Sequence, residues 1–144
     1  MPRAVKPETI ADRLNSATIH LLRRAARVDV ESGIGPAQLS ALSVLVFGGS
    51  TTLSRLAEAE QVTPPTMSRI VKALAEAGLV SKRPSGRDRR SLHISATPAG
   101  RRLMQAARER RIRALTERLE ALPEQDLAAL ARAAELMEQV AVVP

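Results

Sequence analysis

Val62-Thr63-Pro64-Pro65-Thr66-Met67-Ser68-Arg69-Ile70-Val71-Lys72-Ala73-Leu74-Ala75-Glu76-Ala77-Gly78 decides the fold of this 144-residue chain. Thr63 followed by Pro64 is a strong helix start. A side-chain oxygen caps the first turn, and proline at the first helical position gives up an N–H that has no helical partner anyway. The spacing predicts a helix to Ala77, with Gly78 as a left-handed cap behind it. On its wheel Met67, Ile70, Val71 and Leu74 share one face. Pro65, Arg69, Lys72 and Glu76 lie opposite, flanked at the N-terminal end by Thr66 and Ser68. Every amphipathic helix has a polar face, but this one joins hydroxyls and cations at the positive end of the helix. That is the chemistry that meets phosphate oxygens and base edges.

Working outward, Thr52 caps a short helix predicted from Leu53 to about Glu60, with Leu56 and Ala57 inward, and Gln61-Val62 makes a tight turn into the Thr63 helix. After Gly78 the period changes. Leu79 to Arg83 reads as one strand, and Ser91 to Ala96 alternates as a second. Pro84-Ser85-Gly86-Arg87-Asp88-Arg89-Arg90 lies between them as a turn-rich cationic loop. Two helices, a hairpin and a basic tip make a winged helix-turn-helix, a motif whose second helix lies in the major groove of duplex DNA.

Helices flank this unit. Ile10, Leu14, Ala17, Leu21, Ala25 and Val28 form a helical stripe from Pro7 to about Val30, broken by Gly33-Ile34-Gly35-Pro36. A mostly buried helix follows from Ala37 to Phe47, with Leu39, Leu42 and Val46. Beyond the wing, Thr97-Pro98 repeats the cap-plus-proline start. The long helix it opens is predicted to reach about Leu122, with Leu103, Ala106, Ala107, Ile112, Leu115, Leu119 and Leu122 inward. After Pro123 a last helix, Glu124 to about Val140, carries Leu127, Leu130, Ala134 and Met137. These outer stripes offer more apolar positions than one small chain can cover, so a second copy is expected on them. The fold class is mainly α: a winged helix-turn-helix with flanking N- and C-terminal dimerisation helices. The expected division is residues 1–33 as an N-terminal dimerisation helix, 34–98 as the DNA-binding domain and 99–144 as C-terminal dimerisation helices.

Composition narrows the function. The net charge is +7 from 22 Lys+Arg against 15 Asp+Glu. Residues 81–113 hold eleven of those cations against Asp88 and Glu109, a net of +9, whereas residues 114–144 carry −4. The cationic stretch fits a polyanion partner. Phe47 is the one aromatic residue, so base stacking, on which single-strand binders rely, has no platform. There is no Cys, which excludes disulfides, thiolate metal sites and thiol switches. His20 and His93 are far apart and the carboxylates are scattered, so neither a catalytic constellation nor a metal site is expected, and no cofactor. The chain reads as a binding protein and not an enzyme. His20 is expected to be a partly buried helix residue, and His93 to face out from the wing. No apolar run approaches the roughly 20 residues of a membrane span, and the N-terminus lacks a signal peptide's apolar region. The expectation is a soluble cytoplasmic protein without a membrane partner.

Taken in order, Leu53-Ser54-Arg55-Leu56-Ala57-Glu58, Val62 to Arg69, Leu74-Ala75-Glu76-Ala77-Gly78-Leu79-Val80, Asp88-Arg89-Arg90 and Thr97-Pro98-Ala99-Gly100 resemble the MarR family of multiple-antibiotic-resistance-type regulators. The resemblance covers nearly the whole chain. It implies a homodimer on a palindromic operator, usually a repressor, that in many members releases DNA on binding a small anionic or phenolic ligand. Two departures stand out. Arg55 replaces a commonly acidic residue, which removes the usual capping box and frees its side chain for a phosphate. Ala96 replaces a common Leu before Thr97.

The expected partners are therefore double-stranded DNA, a second copy of the chain and a small aromatic or anionic effector. The alternative is a non-specific architectural DNA-binding protein. The expected recognition-helix residues are Thr63, Pro64, Pro65, Thr66, Ser68, Arg69 and Lys72. Thr66, Ser68 and Arg69 would meet base edges or nearby phosphates, and Lys72 mainly phosphate. In the wing, Arg90 would enter the minor groove, held by Asp88, while Arg87 and Arg89 touch the flanking backbone. Thr52 and Arg55 would support them. By the resemblance, an effector would sit between the dimer helices and the winged domain, where His20, Arg24 and Phe47 are candidates by position.

Overall fold

The structure, a computed structural model, describes residues 5–84 and 92–141. Along the chain lie α1 (Pro7–Asp29), a 3-10 turn (Val30–Ser32), α2 (Pro36–Gly48), β1 (Thr51–Thr52), α3 (Leu53–Ala59), α4 (Pro64–Glu76), β2 (Val80–Pro84), β3 (Leu92–Ala96), α5 (Pro98–Leu119) and α6 (Glu124–Ala141). The winged helix-turn-helix is present in the expected order, α3–α4 followed by the β2–β3 hairpin.

Local chemistry explains each boundary. The Thr63 hydroxyl accepts from the Thr66 N–H at 3.4 Å, and Pro64 opens α4. At the other end Gly78 sits at φ 72°, its N–H donating to the Ala75 carbonyl, while the Leu79 N–H reaches back to the Leu74 carbonyl. That is a Schellman cap, and it needs the left-handed residue that glycine supplies cheaply. The turn after α3 uses the same pattern, with Val62 N–H to Ala57 and Gln61 N–H to Glu58, but places Gln61 at φ 54°. A side chain in that region costs about 1–2 kcal/mol.

The sheet has three antiparallel strands in the order β1-β3-β2. Thr51 and Thr52 pair with Ile94 and His93, and Val80 to Pro84 pair with Ala96 to Leu92. β1 was not expected from the sequence, because two residues are too few to show alternation. Beneath the sheet, Leu39, Leu42 and Leu45 of α2, Leu56 of α3 and Met67, Val71 and Leu74 of α4 pack with Ile94, Met104 and several alanines. All buried apolar residues among the described ones fall between Leu39 and Ala107, and none of the buried residues there is polar or charged.

The chain divides into two compact units, Met1–Arg110 and Arg111–Pro144. Three expectations need correction. His20 is exposed and not partly buried, because nothing in the first unit covers its face of α1, which has no buried residue at all. Ile112, Leu115 and Leu122 were expected inward, yet they are 46%, 42% and 38% exposed. α5 buries only Gly100, Met104 and Ala107, all in its first half. It also ends at Leu119, three residues short of Leu122, since the turn before Pro123 has already left the helix. No single helix among the described residues is long and apolar enough to cross a membrane.

Candidate nucleic-acid interface

α4 turns its apolar side into the core, with Met67, Val71 and Leu74 buried, and so fixes what it shows outside. Thr63, Pro64, Pro65, Thr66, Ser68, Arg69 and Lys72 are all exposed, the last six on the helix itself and Thr63 at its cap. The Thr63 and Thr66 hydroxyls lie 3.0 Å apart, so the capping oxygen is engaged while the helix start stays open to solvent. Arg69 has no ion-pair partner among the described residues. Lys72 faces Glu76 at 3.9 Å with both side chains about 70% exposed. A pair so exposed holds little energy and releases its lysine readily.

Thr52 and Arg55 come together at the start of α3. The half-buried Thr52 hydroxyl accepts from the Arg55 N–H at 3.4 Å, and the Arg55 side chain is exposed. Arg87, Asp88, Arg89 and Arg90 lie outside the described residues. His93, as expected, is exposed.

The register brings out two residues that the sequence reading did not place in the interface. Arg83 pairs across the hairpin with His93, and His93 pairs on its other side with Thr52. Directly opposed residues share a face of the sheet, so Thr52, His93 and Arg83 form one polar row leading from α3 to the wing. Strand alternation alone puts Arg83 and His93 on a non-core face. Only the pairing with β1 shows that the row continues to Thr52.

Of the effector candidates, His20 and Arg24 are exposed on α1 and Phe47 is 64% exposed near the end of α2. No hydrogen bond or ion pair among the described residues links them. A different cation in this unit is more constrained. Among the described residues the Nε of Arg110 is buried without a hydrogen bond, and a Glu31 carboxylate oxygen lies 3.7 Å from it. Among the described residues no cluster of three or more His, Asp or Glu has the geometry to hold a metal ion.

The chain is 36% identical over 128 residues to an HTH-type transcriptional regulator of Mycobacterium bovis, an alignment spanning 89% of this chain and 90% of the relative. The profile of the MarR family matches residues 32–91. The chain belongs to the MarR family. The match runs from the 3-10 turn through both helix-turn-helix helices into the wing. Structural neighbours agree on the fold. RV1404 from Mycobacterium tuberculosis superposes with a TM-score of 0.84 at 23% identity, covering 99% of both chains. A point mutant of Staphylococcus aureus MepR, solved bound to an oligodeoxyribonucleotide, superposes with a TM-score of 0.72 at 19% identity, covering 92% of this chain and 98% of that one. As a member of this family the protein is a DNA-binding transcriptional regulator with a winged-helix fold.

Proposed function

We propose that this MarR-family protein is a homodimeric, ligand-responsive repressor that recognises a palindromic operator through α4. The observation that carries the reading is the outer face of α4. Hydroxyls at Thr66 and Ser68 and the guanidinium of Arg69 stand exposed on a helix whose other side is locked into the core. Arg69 suits bidentate contact with a guanine, and Lys72 suits a phosphate. Arg55, with Thr52 behind it, supplies a further backbone contact. In the wing, Arg90 reads the minor groove with Asp88 positioning it, and Arg87 and Arg89 flank it on the backbone.

Exposed apolar side chains support the dimer. Ile10, Leu14, Ile19, Leu21 and Leu22 on α1, and Leu127, Leu130, Leu136, Met137 and Val140 on α6, all stand in solvent in the single chain. Apolar surface of that extent on a soluble regulator marks an interface. On this reading residues 1–33 and 99–144 carry the dimer contacts around a 34–98 reading domain, with Met104 and Ala107 at the start of α5 also packing into the core of that domain.

For the effector, NadR, another protein of this fold at 22% identity and a TM-score of 0.66, is solved in complex with 4-hydroxyphenylacetate. An aromatic acid is therefore the first class to try, with His20, Arg24 and Phe47 as the positions to probe.

Equilibrium titration of the full chain against a duplex selected from random sequence, in competition with unselected duplex, tests the regulator reading. Specific binding should exceed random binding by about 10³-fold or more. Equal affinity for both would leave a non-specific architectural binder. Release of the selected duplex by an aromatic acid tests responsiveness, and unchanged affinity across a panel of such acids would remove it.

A further inference from the structure

Four backbone positions meet where the recognition helix ends, the wing opens and closes, and α5 begins. Gly78 and Leu79 leave α4 and lead into β2, while Thr97 and Gly100 follow β3 into α5. The Thr97 hydroxyl donates to the Gly78 carbonyl at 2.7 Å and accepts the Gly100 N–H at 3.1 Å. The Thr97 N–H donates to the Leu79 carbonyl at 3.0 Å, one step beyond the Val80–Ala96 pair of the hairpin. The Thr97 hydroxyl thus ties the C-terminal cap of α4 to the first turn of α5, and its backbone N–H extends the base of the wing.

The joint is closed to the limit of contact. A Cβ on Gly100 would run into the Leu79 carbonyl oxygen and reach 3.1 Å from Leu42 Cδ1. Gly100 is not in a left-handed conformation, so its role is space and not φ. Ala96, the last residue of β3, directly precedes Thr97 and fills a core position with a small side chain. Small side chains make fewer contacts and resist tilting less. Directed hydrogen bonds then carry more of the task of fixing the angle.

We propose that Thr97 is a positioning residue that sets the angle between α4 and the β2–β3 hairpin, with Gly100 supplying the space in which that joint closes. The proposal rests on the DNA-binding reading above and names what makes its two reading elements act together. α4 is about 20 Å long at 1.5 Å per residue, so a tilt of about 5° at its C-terminal end moves its first turn by roughly 1.5 Å. Base contacts fail at displacements of that size, whereas phosphate contacts made by long flexible cations adapt. Loss of the joint therefore costs specificity before it costs affinity for DNA in general.

The test compares Thr97→Val, which keeps the shape and removes the hydroxyl, with Thr97→Ser, which restores it. Each full-length variant is titrated against the selected duplex and against random duplex, below its melting temperature. Thr97→Val should lose about tenfold or more on the selected duplex and less than about threefold on random duplex, whereas Thr97→Ser should stay within about twofold of wild type on both. If Thr97→Val does not fold, Thr97→Ala removes the same hydroxyl while keeping the backbone bond to Leu79, and the same ratios are read. A hydroxyl-free variant that discriminates as well as wild type overturns the proposal alone, as does a Thr97→Ser that discriminates as poorly as Thr97→Val. A wild-type chain that prefers no duplex overturns the regulator reading and this proposal with it.

Discussion

The segment from Leu39 to Ala107 and the two terminal helices follow opposite rules. The first closes a core from α2, α3, α4, the sheet and the start of α5, with Leu42, Leu56, Met67 and Leu74 fully buried. α1 and α6 are long and amphipathic, and neither buries a single residue. One region gains its stability from its own side chains. The other presents apolar surface that needs something outside the chain. On the proposed reading, such a regulator would hold its DNA-reading helix rigidly and leave its assembly to concentration and partners.

The largest expected effects lie on the two sides of that contrast. Leu42→Ala should destabilise the fold by about 2–5 kcal/mol, through lost burial and a residual cavity. That loss should appear equally in denaturant unfolding at low and high protein concentration. Leu130→Glu, on the open face of α6, should instead abolish the concentration dependence of melting by breaking the dimer. If both substitutions act alike at all concentrations, the contrast between the regions is wrong.

On the reading surface, Arg69→Ala should cost about 1–3 kcal/mol on the selected duplex and relax the base preference at one position of each half-site. Lys72→Ala should weaken all duplexes about equally and lower the magnitude of the salt slope by about 1. Equal loss on selected and random duplex from Arg69→Ala would remove it from base reading. In the wing, Asp88→Ala raises the net positive charge, so it should tighten binding if repulsion were its only effect. If Asp88 holds Arg90 through a charge-assisted pair, binding should weaken, and Arg90→Ala added to it should cost little more. Tighter operator binding by the folded Asp88→Ala dimer would contradict the positioning role.

The parts of the molecule legible in sequence are those where local chemistry settles the structure. Thr63-Pro64, Gly78 and Thr97-Pro98 each mark a boundary that capping and backbone freedom impose without tertiary help, and the helices begin and end within a few residues of them. The apolar face of α4 is legible for the same reason, since its period is undisturbed. What the sequence hides is set by contacts distant along the chain. β1 exists because Thr51 and Thr52 find Ile94 and His93, and Arg83 of β2 joins the Thr52–His93 row through its own pairing with His93. The exposure of His20, Ile112 and Leu115 shows the converse limit. A stripe tells which residues seek burial, not whether the same chain provides the cover. In the sequence Gly100 is one small residue of a motif; its need for space comes from the Leu79 carbonyl that the fold sets against it.

The smallest expected effect sharpens the account of the closed region. Gln61→Gly should stabilise the helix-turn-helix by about 0.5 kcal/mol, as relief of the left-handed side chain slightly outweighs the added freedom of the unfolded chain. Denaturant midpoints at fixed m-value would show it. A destabilisation of similar size would mean that the Gln61 side chain contributes contacts worth more than its strain.

Selection of bound sequences from random duplex DNA by the full-length protein tests the central claim most directly. The account predicts a two-fold symmetric site with half-site centres about one helical turn, roughly 34–36 Å, apart, and A·T-rich steps where the wing enters the minor groove. Arg69→Ala, carried through the same selection, should keep the symmetry and lose preference at one base per half-site. A pool that converges on no sequence, or on an asymmetric one bound by a single chain, would contradict the account.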